Sequence, residues 1–150
     1  MFPQIMVKKR VRRLRLLVGL GLFGASFVLY LSTLAPTLAW GFNNRGLDGG
    51  ELLAAAHTLG IPHPPGYPTY SLLLKSFATL VPVGDFAYRG NLLSAILASA
   101  SVFTVYWVVV RFCRHLRPQA PEWLAITSAA LGSAVLATSP LFCNHATITE

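Results

Sequence analysis

Charged side chains are scarce in this chain, and acidic ones are the scarcest. Only 11% of the 150 residues are charged, five acidic and twelve basic, whereas roughly a quarter are charged in an average soluble domain. Hydrophobic residues make up 54% of the chain, and the mean hydropathy is +0.57. This balance excludes an ordinary soluble domain and predicts an all-α membrane protein.

Three long windows contain no Asp, Glu, Lys or Arg, namely residues 16–44, 90–110 and 123–149. About 20 apolar residues cross the hydrocarbon core as a helix. We therefore expect three transmembrane helices, at 16–38, 91–110 and 123–142. Because three helices bury little of their own surface, we expect the chain to be the N-terminal portion of a longer polytopic bundle.

A fourth uncharged window, residues 52–74, is interrupted by prolines. Pro62, Pro64, Pro65 and Pro68 fall within seven residues, and each proline removes a backbone donor that lipid cannot replace. We expect no crossing here. Short interfacial helices at 51–59 and 68–80, separated by the prolines, are predicted instead.

Basic residues are distributed unevenly around these windows. Nine lie in the segments 1–15 and 111–121, whereas the 39–90 segment holds only Arg45, Lys75 and Arg89. The positive-inside rule then predicts an integral, multi-pass protein with a cytoplasmic N-terminus, a cytoplasmic 111–121 turn and extracytoplasmic segments at 39–90 and 143–150. In a bacterium this would be the cell membrane. The same rule accounts for the net charge of +7, so no nucleic-acid partner is predicted.

Two carboxylates, Asp48 and Glu51, begin the predicted outer helix. Their spacing has two interpretations, which the sequence leaves open. Asp at the N-cap and Glu three residues later resemble a capping box, which only stabilises a helix start. Alternatively, one carboxylate acts as a base beside the bilayer, or the pair binds a divalent cation.

Other polar residues are candidates for contacting a substrate on the same face. His63 lies among prolines that restrict its direction, Tyr67 follows it, and Arg89 and Asn91 come just before the second predicted span. An arginine there can bind a phosphate by paired hydrogen bonds. Glu150 follows the third predicted span on the same side. The candidate substrate-binding residues are therefore His63, Tyr67, Arg89, Asn91 and Glu150.

The segment DGGELLAAAHTLGIPHPPGYPTY, residues 48–70, resembles the signature of the DUF2723 membrane proteins, a protein O-mannosyltransferase-like family with the GT-C fold. Supporting matches are YLSTLAPT at 30–37, RGNLLSA at 89–95 and SPLFCNHATITE at 139–150. The chain departs from the family at Gly49, where a small polar residue is more usual.

The resemblance implies a membrane glycosyltransferase with its essential acid in the first outer loop. Such an enzyme takes a sugar, here mannose, from a polyprenyl-phosphate donor held in the membrane lipid. It transfers the sugar to a hydroxyl of a protein or glycan acceptor on the extracytoplasmic side. The transfer inverts the anomeric configuration of the sugar. Matched by position, Asp48 is the essential acidic residue, which would act as the base, and Glu51 is its partner in the motif, which would assist it or orient the acceptor. The resemblance specifies no cofactor, and binding of a divalent cation is the alternative role of this pair.

A non-enzymatic polytopic protein, such as a transporter segment or an assembly subunit, is the main alternative. The predicted spans contain no acid, lysine or arginine of the kind that marks a transport pathway. Consumption of polyprenyl-phosphate sugar would distinguish an enzyme from a scaffold.

Overall fold

The computed structural model describes residues 2–38 and 47–149, and in this part of the chain it contains helices and no strands. The six helices are α1 (Phe2–Ser32), α2 (Leu47–Thr58), α3 (Pro68–Leu80), α4 (Phe86–Leu116), α5 (Glu122–Thr138) and α6 (Pro140–Thr147). The expected all-α class is confirmed for the described residues.

Two of these helices are long and apolar enough to cross a membrane. They are Lys9–Ser32, the greater part of α1, and Phe86–Leu116, which is α4. The pair α5 and α6 reaches a spanning length only if both helices count as one broken span. The structure thus supports two candidate spans, or three with the broken pair.

The third predicted span, residues 123–142, differs from the observed helices. Helix α5 ends at Thr138, Ser139 is extended, and α6 begins at Pro140. Proline lacks the backbone N–H that would continue the hydrogen-bond ladder and disfavours helical backbone in the residue before it. The prediction of an unbroken helix through Pro140 was therefore wrong.

The first two predicted spans also have different ends. Helix α1 begins at Phe2 rather than 16, because lysine and arginine are good helix formers that extend it beyond the apolar stretch. It ends at Ser32 rather than 38, ahead of Pro36. Helix α4 is longer than the predicted 91–110 because Asp85 caps its start and Pro118 comes only after its end.

The short helices agree with the sequence prediction. Helix α3 has the predicted range 68–80, whereas α2 begins at Leu47, four residues before the predicted 51–59 helix. Residues 59–67 separate the two helices. Leu59 adopts a left-handed backbone, and the N–H of Gly60 donates to the carbonyl of Ala55 at 2.9 Å, which ends α2. Pro68 occupies the first position of α3, where its missing N–H costs nothing.

The chain divides into two compact units. The first unit comprises residues 1–27 and 99–139, so it contains parts of α1 and α4 and all of α5. Its core contains the buried side chains of Tyr106, Val110 and Ala129. Gly19 allows close approach here, since a Cβ at this position would lie 2.9 Å from the ring of Phe103.

The second unit comprises residues 28–98 and 140–150 and contains α2, α3 and α6. Leu53, Ala56, Leu74 and Leu93 form its core, so the apolar faces of α2 and α3 pack against the start of α4. This packing fixes the backbone from which the candidate site residues project.

Candidate functional site

Glu51 and His63 form a two-point contact between α2 and the proline-rich connection. The backbone N–H of His63 donates to Oε1 of Glu51 at 2.6 Å, and Nδ1 lies 2.9 Å from Oε2. A carboxylate only accepts, so Nδ1 carries the proton in this contact and Nε2 is the ring nitrogen left for another partner. The contact therefore fixes the direction of the imidazole.

The same contact alters the acidity of Glu51. Its pKa is lowered, first by the hydrogen bond from the His63 side chain and then by the one from the His63 backbone. A carboxylate with a lowered pKa is a weaker base. Glu51 is thus better suited to orient His63 than to abstract a proton.

Tyr67 lies beside the same histidine. The rings of His63 and Tyr67 meet edge to face with centroids 5.5 Å apart. The N–H of Gly66 donates to the His63 carbonyl at 2.9 Å, and Gly66 and Tyr67 both have positive φ, at 89° and 41°. This tight turn brings together three residues singled out in the sequence, Glu51, His63 and Tyr67.

Asp48 lies in the first turn of α2 and its side chain is exposed. Because α2 begins at Leu47, Asp48 is inside the helix rather than at its N-cap, and Glu51 bonds His63 rather than a donor at the helix start. The capping-box interpretation does not describe this geometry. Residues three apart share a helix side, so Asp48 and Glu51 face similar directions.

Asn91 is buried, with 2% of its surface exposed, and joins three chain segments. Its Nδ2 donates to the carbonyls of Ala35 and Thr37 at 3.0 and 3.1 Å. Its Oδ1 accepts from the backbone N–H and the hydroxyl of Thr149 at 2.8 and 3.2 Å. The amide is fully bonded within the protein, so its evident role is to hold the segments after α1 and α6 against α4.

Arg89 has a comparable holding role at the α3–α4 connection. Its guanidinium donates from Nη1 to the carbonyl of Ala78 at 2.9 Å, from Nη2 to Gly84 at 3.0 Å and from Nε to Val83 at 3.3 Å. These bonds satisfy carbonyls at the end of α3 and beyond it. A contact between Arg89 and a substrate phosphate remains a prediction.

Asp85 was missed by the sequence reasoning. Its Oδ1 accepts from the N–H of Tyr88 at 2.6 Å, which is the N-cap bond of α4, and its Oδ2 accepts from the hydroxyl of Thr37 at 2.5 Å. The Thr37 bond, followed by the Tyr88 bond, lowers the pKa of Asp85. The available signal was an aspartate after Gly84 and directly before an apolar helical run.

Tyr70 reaches the same region from α3. Burial raises the pKa of its phenol, and its hydroxyl lies beside those of Thr149 and Ser94, too poorly placed for a regular hydrogen bond with either. Thr149 is thus enclosed by Tyr70 and Asn91. Glu150, the last candidate from the sequence, lies outside the described residues.

Among residues 2–38 and 47–149, no group of three or more His, Cys, Asp or Glu side chains is arranged to hold a metal ion. Of the two carboxylates predicted for a divalent cation, Asp48 and Glu51, the second binds His63.

Fold and site together define a helical protein with two candidate membrane spans and an exposed carboxylate site in the chain segment between them. Residues 48–150 match the family model described as the Protein O-mannosyl-transferase TMEM260 N-terminal domain. This match covers more than half of the chain, so the chain belongs to that family. The match begins at Asp48.

Two curated relatives carry the same family name. The mouse Protein O-mannosyl-transferase TMEM260 is 46% identical over 66 residues, which cover 44% of this chain and 9% of the relative. Protein O-mannosyl-transferase tmem260 of Dictyostelium discoideum is 34% identical over 99 residues, 61% of this chain and 11% of the relative. The chain thus spans about a tenth of the length of these relatives.

No solved structure matches the chain. The resemblance drawn from the sequence is confirmed at the level of an O-mannosyltransferase-like family. The DUF2723 label itself remains a prediction.

Proposed function

We propose that this chain is the N-terminal part of an integral membrane mannosyltransferase with a GT-C bundle. It transfers mannose from a polyprenyl-phosphate donor to a protein hydroxyl on the extracytoplasmic side. Family membership and the names of the relatives support mannosyl transfer to protein. The two candidate spans suit a donor whose lipid tail stays in the bilayer.

The observation that carries this proposal is the division between the two carboxylates of α2. Glu51 is engaged by both N–H groups of His63. Asp48, three residues before Glu51 in the first turn of α2, is exposed. This difference supports Asp48 as the group that takes a proton from an incoming hydroxyl, and we assign it as the general base.

The reaction is a single displacement. Asp48 accepts the proton of the acceptor hydroxyl as its oxygen forms a bond to the anomeric carbon of mannose. The bond from that carbon to the phosphate oxygen breaks, and polyprenyl phosphate leaves with the bonding electrons. Attack opposite the leaving group inverts the anomeric configuration.

The leaving phosphate needs a donor or a positive charge. His63, held at Nδ1 by Glu51, can present an Nε2–H to a phosphate oxygen when the ring is protonated. Tyr67 packs on this ring and is 41% exposed, which places an aromatic surface at the same site. Glu51 is thus a positioning residue, and His63 and Tyr67 are the substrate contacts.

Two of the remaining candidates, Arg89 and Asn91, act on the site at longer range. Arg89 and Asn91 maintain the loop and helix ends around α2 and α3 through their backbone contacts. Glu150, which follows the anchored Thr149, is retained as a substrate contact on sequence grounds. A divalent cation on Asp48 and Glu51 is the alternative role for that pair.

The test is donor consumption by the full-length protein in membranes. We expect labelled polyprenyl-phosphate mannose to lose its sugar to protein serine or threonine hydroxyls, and nucleotide-linked mannose to be inactive. Loss of transfer on chelation would favour the cation role. An unconsumed donor would support the non-enzymatic alternative and contradict the proposal.

A second measurement separates the role of Glu51 from that of His63. If Glu51 only orients His63, Glu51→Gln, which can still accept from Nδ1–H, should retain more transfer than His63→Ala. Tyr88→Phe, a change outside this cluster, serves as the control. Equal and complete loss in Glu51→Gln and Asp48→Asn would instead make both carboxylates act in the chemistry.

A further inference from the structure

A polar cavity of about 610 Å³ lies in the first unit, between the start of α1 and the α4–α5 connection. This volume is in the range of small-molecule binding sites. Its lining includes Arg12 and Arg15 from α1, Arg114 from α4, and Gln119 and Glu122 near the start of α5. None of them belongs to the site described above.

The charges around this cavity are unbalanced. Arg15 donates from Nε to Oε1 of Glu122 at 2.7 Å, and Nε of Arg114 lies 3.5 Å from Oε2. Nη1 of Arg114 also donates to the carbonyl of Ala120 at 3.0 Å. The Glu122 carboxylate thus fixes two guanidinium groups. Arg12 supplies a third guanidinium group, and Glu122 is the one acid among the lining residues.

The cavity lies at the ends of two candidate spans. Arg12 and Arg15 are near the start of the Lys9–Ser32 span, and Arg114 is near the end of the Phe86–Leu116 span. Large apolar side chains are exposed in the same unit, namely Leu14, Phe112 and Trp123, at 50%, 59% and 64%. Tryptophan is enriched where a membrane meets water.

We propose that this cavity binds the phosphate headgroup of an anionic phospholipid. Guanidinium groups bind phosphate oxygens by paired hydrogen bonds, and the Glu122 contacts hold two of them in place before the ligand arrives. Exposed apolar side chains at the same end of the helices provide a surface for acyl chains. The position at the span ends favours a lipid over a soluble anion or an acidic peptide. This inference does not depend on the proposed mannosyl transfer.

The matched variants are Arg12→Gln and Arg13→Gln. Both remove one positive charge from exposed, adjacent positions of α1, but only Arg12 lines the cavity. The full-length protein in neutral detergent is titrated with phosphatidylglycerol or phosphatidylcholine, and bound lipid is counted by native mass spectrometry. We expect Arg12→Gln to weaken phosphatidylglycerol binding about fivefold, as for one basic contact at a lipid surface, and Arg13→Gln to leave it unchanged.

A second variant keeps the test informative if Arg12→Gln folds poorly. Gln119→Glu adds an acid to an exposed position of the lining and should also weaken phosphatidylglycerol binding. Equal losses in Arg12→Gln and Arg13→Gln, or equal binding of phosphatidylcholine, would overturn the proposal. Displacement of the lipid by glycerol phosphate or by an acidic peptide at the same concentration would assign the cavity to a soluble ligand and overturn it as well.

Discussion

Asn91→Ala tests whether Asn91 holds the fold or contacts a substrate. The substitution removes the side chain that joins Ala35 and Thr37 to Thr149. If Asn91 is structural, the variant should lose stability, while each folded molecule keeps its transfer activity. If it contacts substrate, activity should fall in a protein of normal stability.

The expected cost follows from the hydrogen bonds. Asn91 makes four, each worth about 0.5–1.5 kcal/mol net. Thr37 is exposed, so water can replace part of the loss on that side. Thr149 is buried and its N–H would be left without its acceptor. We therefore expect about 2–4 kcal/mol of local destabilisation.

Hydrogen exchange measures this loss directly. The backbone N–H of Thr149 is bonded to Asn91, and that of Ala35 donates to the carbonyl of Thr147 at 3.2 Å. Both amides should exchange at least about tenfold faster in Asn91→Ala, since 1.4 kcal/mol corresponds to a factor of ten. Asn144→Ala, on α6, is the control and should change little. Unchanged exchange at Thr149 together with lost transfer would refute the structural role.

Three further predictions concern the packing at Gly90, the cap of α4 and the membrane topology. Gly90→Ala should destabilise the protein by about 1–3 kcal/mol, because the new Cβ would lie 2.5 Å from Oγ1 of Thr149 and 2.7 Å from Cδ2 of Leu53. In the control Gly132→Ala the new Cβ meets nothing within 4 Å, so this change should stabilise α5. Thermal midpoints that shift in the same direction in both variants would contradict the packing argument. Asp85→Ala should cost about 0.5–2 kcal/mol at neutral pH through loss of the cap, and Asp85→Asn should cost less. The pKa of Asp85 is lowered in the folded protein, first by the hydrogen bond from Thr37. The stability that Asp85 adds is therefore present above the ordinary aspartate pKa and is lost as the pH falls through the lowered value. Acid unfolding that is identical in wild type and Asp85→Ala would contradict this pH dependence. A cysteine at the exposed Thr69 should be labelled from outside the cell and one at Gln119 only after permeabilisation, and the reverse pattern would overturn the predicted topology.

Much of the fold follows from local signals in the sequence. The proline cluster separated α2 from α3, and the uncharged windows located α1 and α4, because backbone donors and apolar length are local properties. Pro140 carried the same kind of signal, but hydropathy alone joined the residues on either side of it into one span. Helix ends were least predictable, since they depend on caps such as Asp85.

The candidate site was predictable in part. Residue types and a family resemblance singled out Asp48, Glu51, His63 and Tyr67, and the structure brings the last three together. The roles of Asn91 and Arg89 could not be read from the sequence. They depend on carbonyls as distant along the chain as Ala35, which only the folded structure brings into reach.

Asp48 is assigned as the general base, and the substitution Asp48→Asn tests that assignment. The substitution keeps the shape of an exposed side chain and removes its charge, and Asp85→Asn makes the same change at the start of α4. We expect transfer from polyprenyl-phosphate mannose to fall about 100- to 10,000-fold in Asp48→Asn and to persist in Asp85→Asn, with both proteins folded and inserted. Wild-type rates in a folded Asp48→Asn protein would contradict the account.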